Sequence, residues 1–303
     1  MAPTLAAASR LTRPAAAATR PQDGGRHDGL GYLPRMEIGV GTVLVDRWEL
    51  VERLATGGMG EVFRACDRRA GEDVAVKVLR PDVVEGARRF ADEAATLRRL
   101  DHPNIVTLLE TGEQGGVPFL VMELVPGKPL HRTLEARTLS LEELHRVGHE
   151  IASALECAHD HGIVSRDVTP GNILFAADDS ARLADFGIAL LAGASRITAS
   201  HVTVGSATYL APEQITEEEI GPPADVYALG LVLVESHTGR PAFDGPLKEA
   251  AIARLGRDPD VPVDLPEDWQ RLLKLMTDRD PLSRPSAAEV AAMLGSDDFG
   301  HAG

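Results

Sequence analysis

The chain reads as a two-lobed α+β protein, with a small β-rich lobe joined by a short hinge to a larger, mainly helical one. Three observations predict this. Short strand-like runs crowd the stretch from Trp48 to Leu124, and helical periodicity takes over after Pro126-Gly127. A continuous apolar run, VYALGLVLV from Val226 to Val234, suits a helix buried on all sides, which needs a sizeable lobe around it. At 303 residues, 44% of them hydrophobic, the chain has the material for such a core.

The elements follow in order. Residues 1–36 are rich in Ala, Arg, Pro and Gly and show no sustained hydrophobic period, so a disordered tail is expected. The Arg-rich, acid-poor start imitates an organelle transit peptide but lacks an apolar secretion segment, and Met36 would serve equally well as a start. The small lobe is assigned to residues 37–124. WELVERL, EVFRAC and DVAVKVL are its first strands, parted by Gly-rich and charged turns. EGARRFADEAATLRRL then places Ala87, Phe90, Ala94 and Leu97 on one helical stripe, and IVTLLETG and VPFLVMEL supply two more strands. The large lobe is assigned to 125–295. Its clearest helix runs from Leu141 to about His161, with Leu144, Val147, Ile151, Leu155 and Ala158 on the apolar face. Residues 296–303 are a short C-terminal tail.

A net charge of −15 argues against a nucleic-acid or anionic-membrane binder, whose footprint would be basic. The first 35 residues carry five Arg against two Asp, so the remainder is more acidic still. Cys66 and Cys157 are too few for a disulfide framework, which favours a reducing compartment. No run of about 18 apolar residues is present to span a bilayer. A soluble, cytoplasmic protein without an attached extracellular sensor is therefore expected. The 31 basic residues include only four lysines, so a lysine inside a strand invites inspection.

That lysine is Lys77, in VAVKVL. Alternation puts it on the strand face of Ala75, while Glu93, sixteen residues on, shares the inward stripe of Phe90 and Leu97. Two opposite charges aimed inward are best satisfied by pairing, either as a structural salt bridge or as part of a ligand site. Upstream, LATGGMGEVF (Leu54 to Phe63) has glycines between two strands, where backbone amides can approach phosphates. Taken alone, such a stretch is as readily an ordinary hairpin turn.

The order of motifs is more specific. The glycine-rich loop, strand lysine, helix glutamate, RDVTPGN, DFG at Asp185–Gly187 and APE at Ala211–Glu213 follow one another along the chain. Together with HPNIV, VMELVPGKPL, YLAPEQ and DVYALGLVLVE, this set resembles the bacterial branch of eukaryotic-type serine/threonine protein kinases, from about Trp48 to Leu294. The resemblance implies a bilobal protein-kinase fold with an antiparallel N-lobe sheet and one key helix. It also implies ATP and Mg²⁺, with Mn²⁺ an alternative, and protein substrates. It places Leu54, Gly57, Gly58 and Gly60 over the nucleotide, with Val62 and Ala75 above the adenine and Leu174 beneath it. Met122 would be the gatekeeper, and the backbones of Glu123 and Val125 would bind the adenine edge. Lys77, held by Glu93, would bind phosphates, Asn172 and Asp185 the metal, and Asp167 the substrate hydroxyl. Glu213 would pair with Arg284, and Asp225 would cap the catalytic loop.

Four residues depart from the family pattern: Ala55 for the first loop glycine, Ser206 for a threonine, Ser165 for the histidine before Arg166-Asp167, and Thr169 for a lysine. The serine is expected to loosen the platform under Phe186. The threonine removes a charge near the transferred phosphoryl group, although its hydroxyl can still bond Asp167. Arg166 resembles the arginine that pairs with an activation-loop phosphate, which would be placed on Thr198 or Ser200. The leading expectation is an active protein serine/threonine kinase that phosphorylates its own activation loop. The alternative is a nucleotide-binding pseudokinase scaffold, and self-association into a homodimer through the small lobe is left open.

Overall fold

The computed structural model describes residues 38–80, 94–186, 206–216, 218–296 and 299–300. The described residues belong to one compact unit. Six strands make an antiparallel sheet in the order β1-β2-β3-β4-β6-β5: β1 (Val43–Leu44), β2 (Trp48–Gly57), β3 (Gly60–Asp67), β4 (Asp73–Leu79), β5 (Leu108–Gln114) and β6 (Val117–Glu123). Strand β4 lies between β3 and β6, so the run Val74–Lys77 is buried on both faces, as a near-continuous apolar strand requires. One face packs Trp48, Leu50, Phe63, Val76, Phe119 and Val121 together. At this lobe's far end, Arg47 grips Asp67 through Nε–Oδ1 (3.0 Å) and Nη2–Oδ2 (2.8 Å), and reaches Glu110 at 2.7 Å. Its guanidinium also stacks 4.0 Å over Trp48, tying β2, β3 and β5 together.

Beyond the sheet the chain is helical, apart from a hairpin of β7 (Ile173–Phe175) and β8 (Ala181–Leu183). Among the described residues the helices are α1 (Leu130–Leu134), α2 (Leu141–Asp160), α3 (Pro212–Ile215), α4 (Pro222–Thr238), α5 (Leu247–Gly256), α6 (Glu267–Met276) and α7 (Ala287–Leu294). Residues 94–97 are also helical, and there Ala94 and Leu97 are buried as expected. Ala87 and Phe90, the rest of that stripe, lie outside the described residues.

Helix α2 starts with a capping box: Ser140 Oγ accepts from Glu143 N at 3.2 Å, and Glu143 Oε2 accepts from Ser140 N at 2.8 Å. All five apolar residues expected on its inner face are fully buried. Pro222 and Pro223 open α4, Gly239 at φ +72° ends it, and twelve of its seventeen residues are buried, so the helix is enclosed all round. No described helix is long and apolar enough to cross a membrane.

Candidate active site

The glycine-rich stretch is the turn between β2 and β3. Gly60 has φ +156°, and a Cβ there would lie 2.0 Å from the carbonyl oxygen of Val78. Strand β4 runs so close to the turn that only glycine fits. Arg80 pins the turn, its amide donating to Met59 O at 3.0 Å and its guanidinium to Gly58 O at 3.3 Å. Leu54 is exposed at the edge, and Ala55 is accommodated without a positive φ.

Cross-strand register sets Val62 opposite Lys77 and Ala75 opposite Met122. These four residues therefore share the sheet face turned away from the Trp48–Phe63 cluster. Lys77 is only 6% exposed, and its Nζ lies 2.6 Å from Asp185 Oδ2. A buried ammonium needs such a partner, because desolvation penalises an isolated charge heavily. Glu93, the partner expected from the sequence, lies outside the described residues, as do Thr198 and Ser200. Asp185 follows β8 at φ +61°, a region that Asp enters more readily than most residues.

The segment from Ile163 to Asn172 links α2 to β7. Buried Asp225, near the start of α4, holds it from below: Oδ2 accepts from Ser165 N (2.8 Å) and Oδ1 from Arg166 N (2.7 Å). His159 Nε2 completes the set at 2.9 Å from Asp225 Oδ2. Arg166 takes φ +64°, and its carbonyl accepts from Gln214 Nε2 at 3.4 Å. Asn172 Nδ2 donates to both the carbonyl (2.8 Å) and Oδ2 (2.9 Å) of Asp167. Thr169 is buried, and its carbonyl accepts from Asn172 N at 3.0 Å. Ser165 is 1% exposed, and its hydroxyl has no hydrogen-bond partner among the described residues.

Met122, Glu123 and Val125 lead from β6 into the large lobe. Met122 is buried and lines a cavity of about 30 Å³ with Leu97, Leu100, Leu120, Phe186 and Asp185. The amide of Glu123 donates to Thr107 O at 3.0 Å. At Gly127 a Cβ would fall 1.8 Å from Phe175 O, so glycine lets this crossing lie directly on β7. Leu174, on β7, is partly buried and bridges to Pro129. Downstream, Arg284 forks onto Glu213 at 2.7 and 2.9 Å, with both side chains buried. Tyr209 donates to Glu235 Oε2 at 2.5 Å; burial pushes both the phenol and the carboxyl above their ordinary pKa values.

The family model for the protein kinase domain matches residues 48–294, which is most of the chain. The chain belongs to the protein kinase family. Serine/threonine-protein kinase PknA of Mycobacterium tuberculosis H37Rv is 39% identical over 274 residues, covering 84% of this chain and 63% of the relative. The DNA damage-responsive serine/threonine-protein kinase RqkA of Deinococcus radiodurans is 35% identical over 277 residues, covering 86% of this chain and 42% of that one. A probable serine/threonine-protein kinase PknB of Corynebacterium glutamicum is 35% identical over 273 residues, with 84% and 42% covered. The chain thus spans only part of the length of these relatives.

The arrangement suits a divalent metal held by oxygen. The Asn172 amide nitrogen is turned onto Asp167, which leaves its oxygen for other work, and Asp185 has a second carboxylate oxygen beyond the one at Lys77. Among the described residues there is no cluster of three or more His, Cys, Asp or Glu that could cage a metal. Mg²⁺ does not require one, because it commonly takes one or two protein oxygens, with phosphate and water completing its octahedron. Sequence reasoning missed His159 and Arg80. A histidine eight residues before Asp167 and an arginine just past β4 carry no signal of their own until the fold brings them to Asp225 and Gly58.

Proposed function

We propose that this kinase-family chain is an ATP-dependent protein serine/threonine kinase, with residues 37–124 as its small lobe and 125–295 as its large one. Asp167 orients the acceptor hydroxyl and takes up its proton. Lys77 binds phosphate oxygens once nucleotide draws it from Asp185. Asn172 and Asp185 would hold Mg²⁺, which would supply charge neutralisation for the nucleotide phosphates. The glycine turn covers the phosphates, while Val62, Ala75 and Leu174 sandwich the adenine with Met122 behind it and the backbones of Glu123 and Val125 at its edge. Thr169 lies beside the transferred group, and Arg166 receives a phosphate on Thr198 or Ser200.

The observation that carries this reading is the Asn172–Asp167 pair beside the buried Lys77–Asp185 pair: all four groups for positioning and charge neutralisation are present and held. The pairing also weighs against the scaffold alternative. The test is incorporation of γ-phosphate from labelled Mg·ATP, with phosphopeptide mapping, in the wild type and in Asp167→Asn. Labelling on Ser or Thr in the wild type, and its loss in the variant, is expected. Nucleotide binding without labelling of the chain or of a basic protein acceptor would sink the reading.

A further inference from the structure

We propose that Arg182 is a positioning residue for the nucleotide, acting through the Glu123 carboxylate to fix the hinge relative to the strand that carries Asp185. The inference rests on the kinase reading above. Arg182 sits in the middle of β8, three residues before Asp185. Its Nη1 lies 2.7 Å from Glu123 Oε2, with side-chain exposures of 28% and 27%, so the pair is partly shielded from water. The other carboxylate oxygen of Glu123 accepts from Thr107 N at 2.9 Å, and Glu123 N donates back to Thr107 O at 3.0 Å. Glu123 is therefore held through both its side chain and its backbone.

Thr107 is itself fastened to β8 through the residues just before it. Leu183 N donates to Asn104 O at 2.8 Å, Val106 N to Leu183 O at 3.0 Å, and Asn104 Nδ2 to Ala181 O at 2.8 Å. The contacts close a ring: Arg182 to Glu123, Glu123 to Thr107, back along 104–106, and across to the strand of Arg182. The proposed adenine edge, at Glu123, stands at one corner of this ring, and Asp185, the proposed metal-binding carboxylate, follows two residues after Leu183 at another. A nucleotide must satisfy both at once, and a fixed spacing lowers the ordering cost of doing so. A strut that merely stabilised the fold would change melting temperature and turnover without selectively weakening nucleotide binding.

The test compares wild type, Arg182→Ala, Arg182→Lys and the charge-swapped pair Glu123→Arg with Arg182→Glu. Mg·ATP affinity is measured by calorimetric titration, and KM and kcat on a basic protein acceptor. Arg182→Ala is expected to raise Kd and KM for Mg·ATP about fivefold with a much smaller change in kcat, as befits a partly shielded ion pair. Arg182→Lys, which keeps the charge and remains measurable if the alanine variant is unstable, should fall between. The swapped pair should restore the affinity only in part, because it re-forms the ion pair but puts a guanidinium, which cannot accept from Thr107 N, at position 123. Unchanged Kd and KM in Arg182→Ala, or a fall in kcat and melting temperature alone, would overturn the inference while leaving the kinase reading intact. A wild type that neither binds Mg·ATP nor transfers phosphate would remove both.

Discussion

Arg284→Ala is the perturbation that most directly tests how the large lobe holds the start of α3. The guanidinium makes two bonds to Glu213 and three to backbone carbonyls: Asp278 (2.7 Å), Pro223 (2.9 Å) and Arg279 (3.3 Å). It also lies 4.7 Å from the ring centroid of Tyr227. Truncation strands a buried carboxylate and leaves three carbonyls without their donor, and breaking such a pair costs about 3–5 kcal/mol. Against a total stability of about 5–15 kcal/mol this is a large fraction. At about 2–4 °C per kcal/mol for a domain of this size, the melting midpoint should fall by roughly 6–20 °C. Thermal and urea unfolding followed by circular dichroism read both quantities. Activity should fall as well, because Gln214, next to Glu213, bonds the carbonyl of Arg166 beside Asp167. Replacing both partners by methionine should recover much of the stability, since an apolar pair leaves no unmatched charge. If Arg284→Ala melted within about 1 kcal/mol of the wild type, the reasoning from burial and bond count would fail.

Three further outcomes are expected. Ser165→Ala deletes a buried hydroxyl without a partner among the described residues, so it should raise the melting midpoint by about 2–4 °C for each kcal/mol of desolvation relieved; a clear drop would mean that the hydroxyl is satisfied. Gly60→Ala forces the turn away from Val78 and should raise KM for Mg·ATP about tenfold, roughly 1.4 kcal/mol, and an unchanged KM would remove the turn from the nucleotide site. Arg47 beside Asp67 holds that carboxyl at about 2, and Arg137 with the Ser140 amide holds Glu143 at about 2. Both folded-state values are depressed, so the stability they contribute is complete above the ordinary carboxylate range and drains away as pH falls from about 4 to about 2. Glu143→Gln should therefore lower stability at neutral pH and flatten the acid limb of urea midpoints measured across that window.

The strands and the long helix were legible because their signal is local. DVAVKVL is β4 residue for residue, and the expected face of α2 is the buried one. Boundaries were less legible where tertiary partners compete for the backbone. IVTLLETG predicts a strand from Ile105, but β5 begins at Leu108, because Ile105 and Val106 are spent on Leu183 in the other lobe. Asp225 and the Glu213–Arg284 pair were foreseen through the family resemblance. The pairing of Lys77 with Asp185 spans 108 residues and that of Arg182 with Glu123 spans 59, and nothing in local periodicity announces either. Ser165 was legible as a departure, but the lack of a partner for its hydroxyl among the described residues is a property of the packing around it.

Helix α4 is fastened to its surroundings along its whole length. Pro223 O takes Arg284, Asp225 takes Ser165 and Arg166, Glu235 takes Tyr209, and Ser236 O accepts from Leu139 N at 2.9 Å. Residues 165–166 and 209–213, remote in the chain, are thus surveyed from a single datum, and placement errors do not accumulate along the connection between them.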